Sequence, residues 1–138
     1  MRAVGAISSM IEIMPDAGAG VTILRFSGVQ TSEDITGAAA AVIQLCDGRD
    51  GIRLLCDWSD VLGWACETRS LPVYDWGAAA CGRIERAAIL HHHRWNRQAA
   101  WLAAMLRHSH VDVRSWRLRE TDGAQKWLLA SSDGSETS

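Results

Sequence analysis

The stretch IRLLCDW, residues 52–58, decides the fold of this 138-residue chain. It is short and mostly apolar, and it lacks the alternation of apolar and polar residues typical of a strand with one solvated face. Strands that are covered on both faces, as in parallel sheets, have this composition. The stretch therefore predicts a central strand that ends near Asp57 and is buried on both sides.

Strands and helices alternate around this central strand. Before it, residues 10–14 and 21–26 flank a turn-rich segment and predict a hairpin, and Thr31 or Ser32 then caps a helix. After it, the spacing predicts a helix over 71–80, a strand over 84–91, a helix over 94–107, a strand over 111–117 and a helix over 122–130. The chain is therefore predicted to be an α/β domain with a mixed sheet of about five strands and about four helices.

Composition limits the class of protein. The chain is 48% hydrophobic and 22% charged, and no apolar run approaches the roughly 18 residues that span a bilayer. Residues 1–130 are predicted to form a single domain, and residues 131–138 a disordered acidic tail. No secretory signal is recognisable, and the four cysteines contain no C-x-x-C pair, so we expect reduced thiols in a cytoplasmic protein.

Charge is distributed unevenly although the net charge is only −2. Residues 83–119 contain eight arginines but only two acids, Glu85 and Asp112. Such a basic segment is typical of a protein with an anionic partner, such as a phosphate, a lipid surface or an acidic protein. Arginines that are merely solvated on helix and strand surfaces would explain it equally well.

Several short motifs along the chain resemble those of one family. They are Ser27-Gly28, Thr31-x-x-Asp34, Leu54-Leu55-x-Asp57, Gly63-Trp64, Arg86-Ala87-Ala88-Ile89, Trp95, Val113-x-x-Trp116 and Ala124-x-x-Trp127-Leu128. In order and spacing, over about residues 10–130, they resemble the SpoIIAA-like proteins of the STAS superfamily, which are small bacterial domains. The resemblance implies a STAS-like sandwich of sheet and helices. It also implies similarity to CRAL-TRIO lipid-binding domains, in which a helix swings to expose an apolar cavity.

One motif of the better-known STAS proteins is missing. Anti-sigma-factor antagonists carry a D-S-S-G segment whose serine accepts a phosphoryl group, and the corresponding residues here are Ala65-Cys66-Glu67-Thr68. The resemblance therefore does not imply partner switching by phosphorylation. No P-loop, G-x-G-x-x-G or G-x-S-x-G motif is present, so we expect neither an enzyme nor a bound cofactor.

The carboxyl edge of the sheet is the predicted ligand site, because ligands of open α/β sheets collect there. The predicted ligand-binding residues are Asp57, Trp64, Trp76, His91, His93 and Trp95. An alternative for Asp57 is that its carboxylate accepts backbone N–H groups from residues 59–63. His91 and His93 could begin a metal site, but the sequence offers no clear further ligands, so we expect no metal.

The helix predicted over 94–107 offers a second candidate surface. Trp95 belongs to the stripe that should face the sheet, whereas Trp101 and Met105 lie on another stripe with Arg94 and Arg97. Tryptophan and arginine together suit a membrane surface or a protein interface. Packing of Trp101 and Met105 inside the domain is the alternative.

The sequence thus predicts a non-enzymatic STAS-like domain. It would hold a small apolar or amphiphilic ligand between the sheet and mobile helices, with peripheral membrane contact and no nucleic-acid partner. The alternative is a protein–protein adaptor or homodimeric regulatory domain of the anti-sigma-factor-antagonist type, without the phosphorylatable serine.

Overall fold

Five strands form one mixed sheet in which the order in space follows the order in the chain. The computed structural model describes residues 10–16, 20–46, 51–65 and 83–130. The strands are β1 (Met10–Asp16), β2 (Val21–Gln30), β3 (Ile52–Trp64), β4 (Ile84–His91) and β5 (Asp112–Arg117). β1 pairs with β2 antiparallel, and the other neighbours are parallel. The predicted mixed sheet with an initial hairpin is confirmed.

Three α-helices are described: α1 (Ser32–Cys46), α2 (Asn96–His108) and α3 (Thr121–Leu129). A 3-10 turn precedes each of the last two, His93–Trp95 before α2 and Leu118–Glu120 before α3. Thr31 caps α1, since its hydroxyl accepts the Asp34 N–H while the Asp34 carboxylate accepts the Thr31 N–H. The helix predicted over 71–80 and the tail predicted over 131–138 lie outside the described residues.

The helices divide between the two faces of the sheet. α1 and α2 each connect adjacent parallel strands, and right-handed crossovers between strands in sequential order lie on one side. Both helices contribute to one hydrophobic core, which we call the first core. α3 follows the last described strand and covers the opposite face, where Ala124 and Leu128 pack on Leu55, Ala88 and Leu90. The prediction that residues 52–58 are covered on both sides is confirmed.

β3 is longer than the sequence pattern indicated. It continues past Asp57 to Trp64, so the expected strand end near Asp57 is wrong. Two bulges explain the difference, because the register against β2 shifts by one residue between Asp57 and Asp60 and again between Val61 and Gly63. Each bulge resets the alternation of side chains.

Beyond Asp57, the described part of β3 pairs with β2 alone, and we call this extension the β2–β3 ribbon (residues 27–30 and 60–64). As a result of the bulges, Trp58, Val61 and Trp64 all pack on the first core, although they are three residues apart. Gly28, in the same ribbon, has φ +81°, a conformation that other L-residues rarely adopt. The ribbon places Trp64 beyond the last residue of β3 that pairs with β4.

Candidate ligand site at the carboxyl edge of the sheet

Three indole rings from separate elements meet at the carboxyl edge of the sheet. Trp58 and Trp64 come from β3, and Trp95 comes from the 3-10 turn before α2. The ring centroids of Trp58 and Trp64 are 4.8 Å apart and those of Trp64 and Trp95 are 6.3 Å apart, both in edge-to-face geometry. Trp58 is only 2% exposed, whereas Trp64 and Trp95 are half-buried. We call these three rings the indole cluster.

The indole cluster contains polar atoms without partners. Among the described residues, the buried Nε1–H groups of Trp58 and Trp64 find no hydrogen-bond acceptor. Buried indole N–H groups normally find one, and an unsatisfied donor costs about 1–3 kcal/mol. The cluster therefore offers two hydrogen-bond donors as well as an apolar surface.

His91, the last residue of β4, borders the indole cluster. It is 4% exposed, and its ring centroid lies 6.4 Å from that of Trp58. Its Nδ1 lies 2.8 Å from the backbone oxygen of His92. Because a carbonyl oxygen only accepts, Nδ1 carries the proton and donates it. This hydrogen bond fixes the ring orientation at the strand end.

A cleft of about 310 Å³ opens between the ends of β4 and β5. Its walls are His91, His92 and His93 on one side and Arg117, Leu118 and Arg119 on the other. His91 and Arg117 are register partners, so the two walls continue adjacent parallel strands. We call this feature the β4–β5 cleft.

The β4–β5 cleft is cationic. Arg117 and Arg119 are exposed, and within the described part of the chain neither guanidinium contacts an acid. The nearby Glu120 carboxylate accepts the backbone N–H of Arg117 at 2.8 Å. That carboxylate is thereby bound at the start of the 3-10 turn.

His92 is neutral in this setting. Desolvation lowers the pKa of His92, and electrostatic interactions with His93, Arg94 and Arg117 lower it further. Consistent with this, its Nδ1 accepts the Arg94 N–H at 3.2 Å and so caps the turn that precedes α2. A neutral ring whose Nδ1 is an acceptor bears its proton on Nε2, which is left as a donor.

Asp57, a residue of the predicted site, contacts other groups than the indole cluster and the cleft. Asp57 is the last residue of β3 that pairs with β4, and its side chain lies on the opposite face of the sheet from that of Trp58. Its role in ligand binding stays a prediction. Its carboxylate accepts the Ser59 N–H at 2.9 Å and lies 3.4 Å from Arg25 Nε. This matches the alternative that Asp57 binds nearby backbone, here at a bulge rather than a turn. Trp76 lies outside the described residues.

The expected outward stripe of α2 is only partly present. Met105 is 6% exposed and packs in the first core, so the prediction that it faces outward is wrong. Trp101 is half-buried against the same core. A helix that shares its face of the sheet with other elements is buried along its flank as well, which widens its apolar side. Arg94 stacks on Trp95 at 5.5 Å, and Arg97 remains exposed.

The arginines of the basic segment divide into two groups. Some bind carbonyl groups or stack on indole rings within the domain, namely Arg86, Arg94, Arg107 and Arg114. Arg117 and Arg119 instead line the β4–β5 cleft. Sequence reasoning missed this pair and the role of Trp58, although Arg117 ends a parallel strand just as His91 does.

Burial also settles the chemistry of one cysteine. Cys56, in the middle of β3, is a free thiol without solvent contact. Burial raises the pKa of this thiol to about 12, and the neighbouring Asp57 charge contributes to the increase. Cys56 therefore stays protonated and serves as a small apolar side chain, as its sequence context indicated.

Comparison with known proteins agrees with this architecture. The family model described as SpoIIAA-like matches residues 21–129, and the chain belongs to this family. It is accordingly a STAS-type domain. Its structure is similar to the crystal structure of an uncharacterised protein with a SpoIIAA-like fold from Shewanella loihica PV-4. The TM-score is 0.59 at 15% identity, over 93% of this chain and 99% of that one. At this identity the likeness concerns the fold alone.

No curated protein sequence matches the chain. Within the described residues, no helix is both long and apolar enough to cross a membrane. In the same part of the chain, no three His, Cys, Asp or Glu side chains converge as a metal ion would require.

Proposed function

We propose that this STAS-type domain is a non-enzymatic binding domain that holds a small amphiphilic ligand at the carboxyl edge of its sheet. The apolar part of the ligand would lie against the half-buried rings of Trp64 and Trp95, over the base formed by Trp58. The observation that carries the proposal is the pair of unpaired indole N–H groups in the indole cluster.

Two rings of the cluster stand on segments at the edge of the sheet. Trp64 stands on the β2–β3 ribbon and Trp95 on the turn before α2, so a modest shift of either segment changes the space between their rings. Burial of about 100 Å² of apolar ligand surface would contribute roughly 2.5 kcal/mol. A ligand that also accepts a hydrogen bond would remove the cost of an unsatisfied donor.

Transient contact with a membrane belongs to the same proposal, because an amphiphile partitions into bilayers. Arg97 is exposed on α2, and Trp101 is partly exposed one turn further along. A cation and an indole at this spacing suit the interface between lipid headgroups and acyl chains. With Met105 buried, such contact would be weak and reversible.

Native mass spectrometry and a titration with 1-dodecanol test the proposal. We expect an adduct of lipid-like mass on the freshly purified protein, and saturable quenching of tryptophan fluorescence by dodecanol. Replacing Trp95 with leucine should weaken dodecanol binding about tenfold or more. The matched control is Trp127→Leu, which should leave binding unchanged. Trp127 is a half-buried indole on the face of the sheet that α3 covers. Equal binding by both variants would contradict the proposed site.

The alternative function is a protein–protein adaptor or a homodimer that uses the Trp101 surface of α2. The partial exposure of Trp101, one helical turn from the exposed Arg97, favours it. A clean dimer without an adduct in the same mass spectra, dissociated by Trp101→Ala, would support this alternative. A monomer with a lipid-like adduct would argue against it.

A further inference from the structure

We propose that the β4–β5 cleft is an oxyanion site that binds a phosphate group, and that this group is the polar head of the amphiphile held by the indole cluster. The location of the head group rests on the proposed function. The affinity of the cleft for phosphate does not.

The dimensions of the cleft suit a head group. Sites for whole small molecules occupy about 300–1,000 Å³, and a volume of about 310 Å³ lies at the lower limit of that range. Its walls continue two hydrogen-bonded strands, β4 and β5, so their spacing is set by the sheet rather than by a loop. A rigid cleft of this size favours a compact polar group over an acyl chain.

The charges in the cleft suit an oxyanion. Arg117 and Arg119 present planar guanidinium groups, which bind phosphate oxygens through paired hydrogen bonds. Neither guanidinium contacts an acid or a carbonyl within the described residues. Glu120, the acid nearest in sequence, is held by the backbone N–H of Arg117. An incoming oxyanion would therefore meet two uncommitted cations.

The histidine wall supplies further donors. His92 accepts the Arg94 N–H through Nδ1, which leaves Nε2–H to donate. The ring of His93 lies 4.3 Å from that of His92 and is exposed. The histidine wall would donate hydrogen bonds to one side of a phosphate. The guanidinium groups of the opposite wall would donate to its other side.

His91 connects the cleft to the indole cluster. It lines the cleft and lies 6.4 Å from Trp58, ring centroid to ring centroid. A ligand with its phosphate in the cleft would therefore have its next atoms beside the indole rings. This continuity is the reason for assigning the head and the tail to one molecule.

The test compares dodecyl phosphate, 1-dodecanol and inorganic phosphate by calorimetry at pH 7. We expect the wild-type protein to bind dodecyl phosphate about tenfold or more tightly than dodecanol, because charged hydrogen bonds add to the same tail. The double variant Arg117→Gln/Arg119→Gln should lose this preference. The control Arg97→Gln removes an exposed arginine outside the cleft and should keep it.

Inorganic phosphate identifies the source of the anion. If it displaces dodecyl phosphate and its own binding depends on Arg117 and Arg119, the cleft takes free phosphate as well as head groups. If it does not compete but the preference for dodecyl phosphate persists, the cleft recognises the phosphate only as part of an amphiphile. Both results support an oxyanion site.

The failures of the two proposals are distinguishable. Equal binding of dodecanol and dodecyl phosphate, unchanged in the double variant, overturns the oxyanion site and leaves the proposed function intact. Arginine-dependent binding of inorganic phosphate with no binding of either amphiphile supports the oxyanion site and overturns the proposed function. Should the double variant not fold, NMR of the wild-type histidine rings decides: ring protons of His92 and His93 that do not shift with dodecyl phosphate or inorganic phosphate overturn the site.

Discussion

The two ends of the parallel sheet use the same residue type in opposite ways. At the amino end, Arg53 and Arg86 donate to backbone carbonyls at the end of α3, including that of Ala130. Their side chains are only 17% and 13% exposed. At the carboxyl end, Arg117 and Arg119 are exposed and line a cleft. An arginine is therefore informative about function only once its hydrogen-bond partners are known.

The amino end is organised for stability. The last carbonyls of a helix have no partner within the helix and carry the negative end of its dipole. Arg53 and Arg86 donate hydrogen bonds to these carbonyls and thereby hold α3 against its face of the sheet. Glu85 in turn holds Arg53 through an ion pair of 2.9 Å. Among the described residues, no carboxylate holds the guanidinium groups of the two arginines of the β4–β5 cleft in a comparable way.

Removing the arginine hydrogen bonds to α3 at the amino end should have the largest effect on stability. We expect Arg53→Met to lower the free energy of unfolding by about 1.5–3 kcal/mol, because it removes hydrogen bonds from a charged donor to α3. Urea denaturation followed by circular dichroism measures this change. Arg119→Met is the control and should remain within about 0.5 kcal/mol of the wild type. An equal decrease in the free energy of unfolding of both variants would contradict the claim that the arginines at the two ends differ in their contribution to stability.

The carboxyl end depends instead on the backbone of the β2–β3 ribbon. Gly28 has φ +81°, and a Cβ in that conformation costs roughly 1–2 kcal/mol. We expect Gly28→Ala to destabilise the fold by about this amount and to weaken dodecanol binding, since the ribbon positions Trp64.

The matched control is Gly37→Ala in α1, where an added Cβ has no neighbour within 4 Å. That variant should stabilise the protein by roughly 0.5–1 kcal/mol, because alanine favours helix. Thermal melts show whether each substitution raises or lowers the melting temperature. A melting temperature for Gly28→Ala at or above that of the wild type would refute the role given to the ribbon.

The smallest effect concerns pH and the neutral His92. Its pKa is lowered in the folded protein, so the unfolded chain takes up the proton first as the pH falls. The contribution to stability is complete above the ordinary histidine value of 6.5 and is lost as the pH falls through the lower folded value. His92→Asn keeps an acceptor for the Arg94 N–H but does not titrate.

Melting temperatures between pH 8 and pH 5, as an approximate range about the histidine pKa, measure this contribution. We expect a slightly smaller decrease for His92→Asn than for the wild type. The remaining histidines are the same in both proteins, so their contributions to the melting temperature cancel in the comparison. Identical decreases would mean that His92 has the same pKa in the folded and unfolded chains.

Local patterns in the sequence predicted most of the fold. The continuous apolar run at 52–58 indicated a strand covered on both faces, and Thr31 indicated the start of α1. The extension of β3 to Trp64 was not predictable in this way. The spacing of Trp58, Val61 and Trp64 by three residues has no meaning for a regular strand, because it arises from bulges that exist only in the pairing with β2.

The candidate site was predictable in position but not in all of its members. The rule that ligands collect at carboxyl edges led to His91 and His93, and it applies equally to Arg117. Nothing local separates Arg117 from Arg86, since both lie on strands of the same basic segment. The difference lies in which carbonyl groups the fold brings near each guanidinium. Met105 was placed wrongly for a similar reason, because its burial depends on neighbours of α2 distant in sequence.

The two bulges also make the length of the ribbon a determinant of its orientation. At each register shift β3 has one residue more than β2: Trp58 and Ser59 stand against Phe26, and Leu62 lies between the partners of Gly28 and Val29. Deleting Ser59 would make the first of these places regular, with Trp58 opposite Phe26, and every later side chain of β3 would keep its face. By contrast, inserting one residue that no further bulge absorbs would turn every later side chain of β3 over, so that Trp64 pointed away from Trp58.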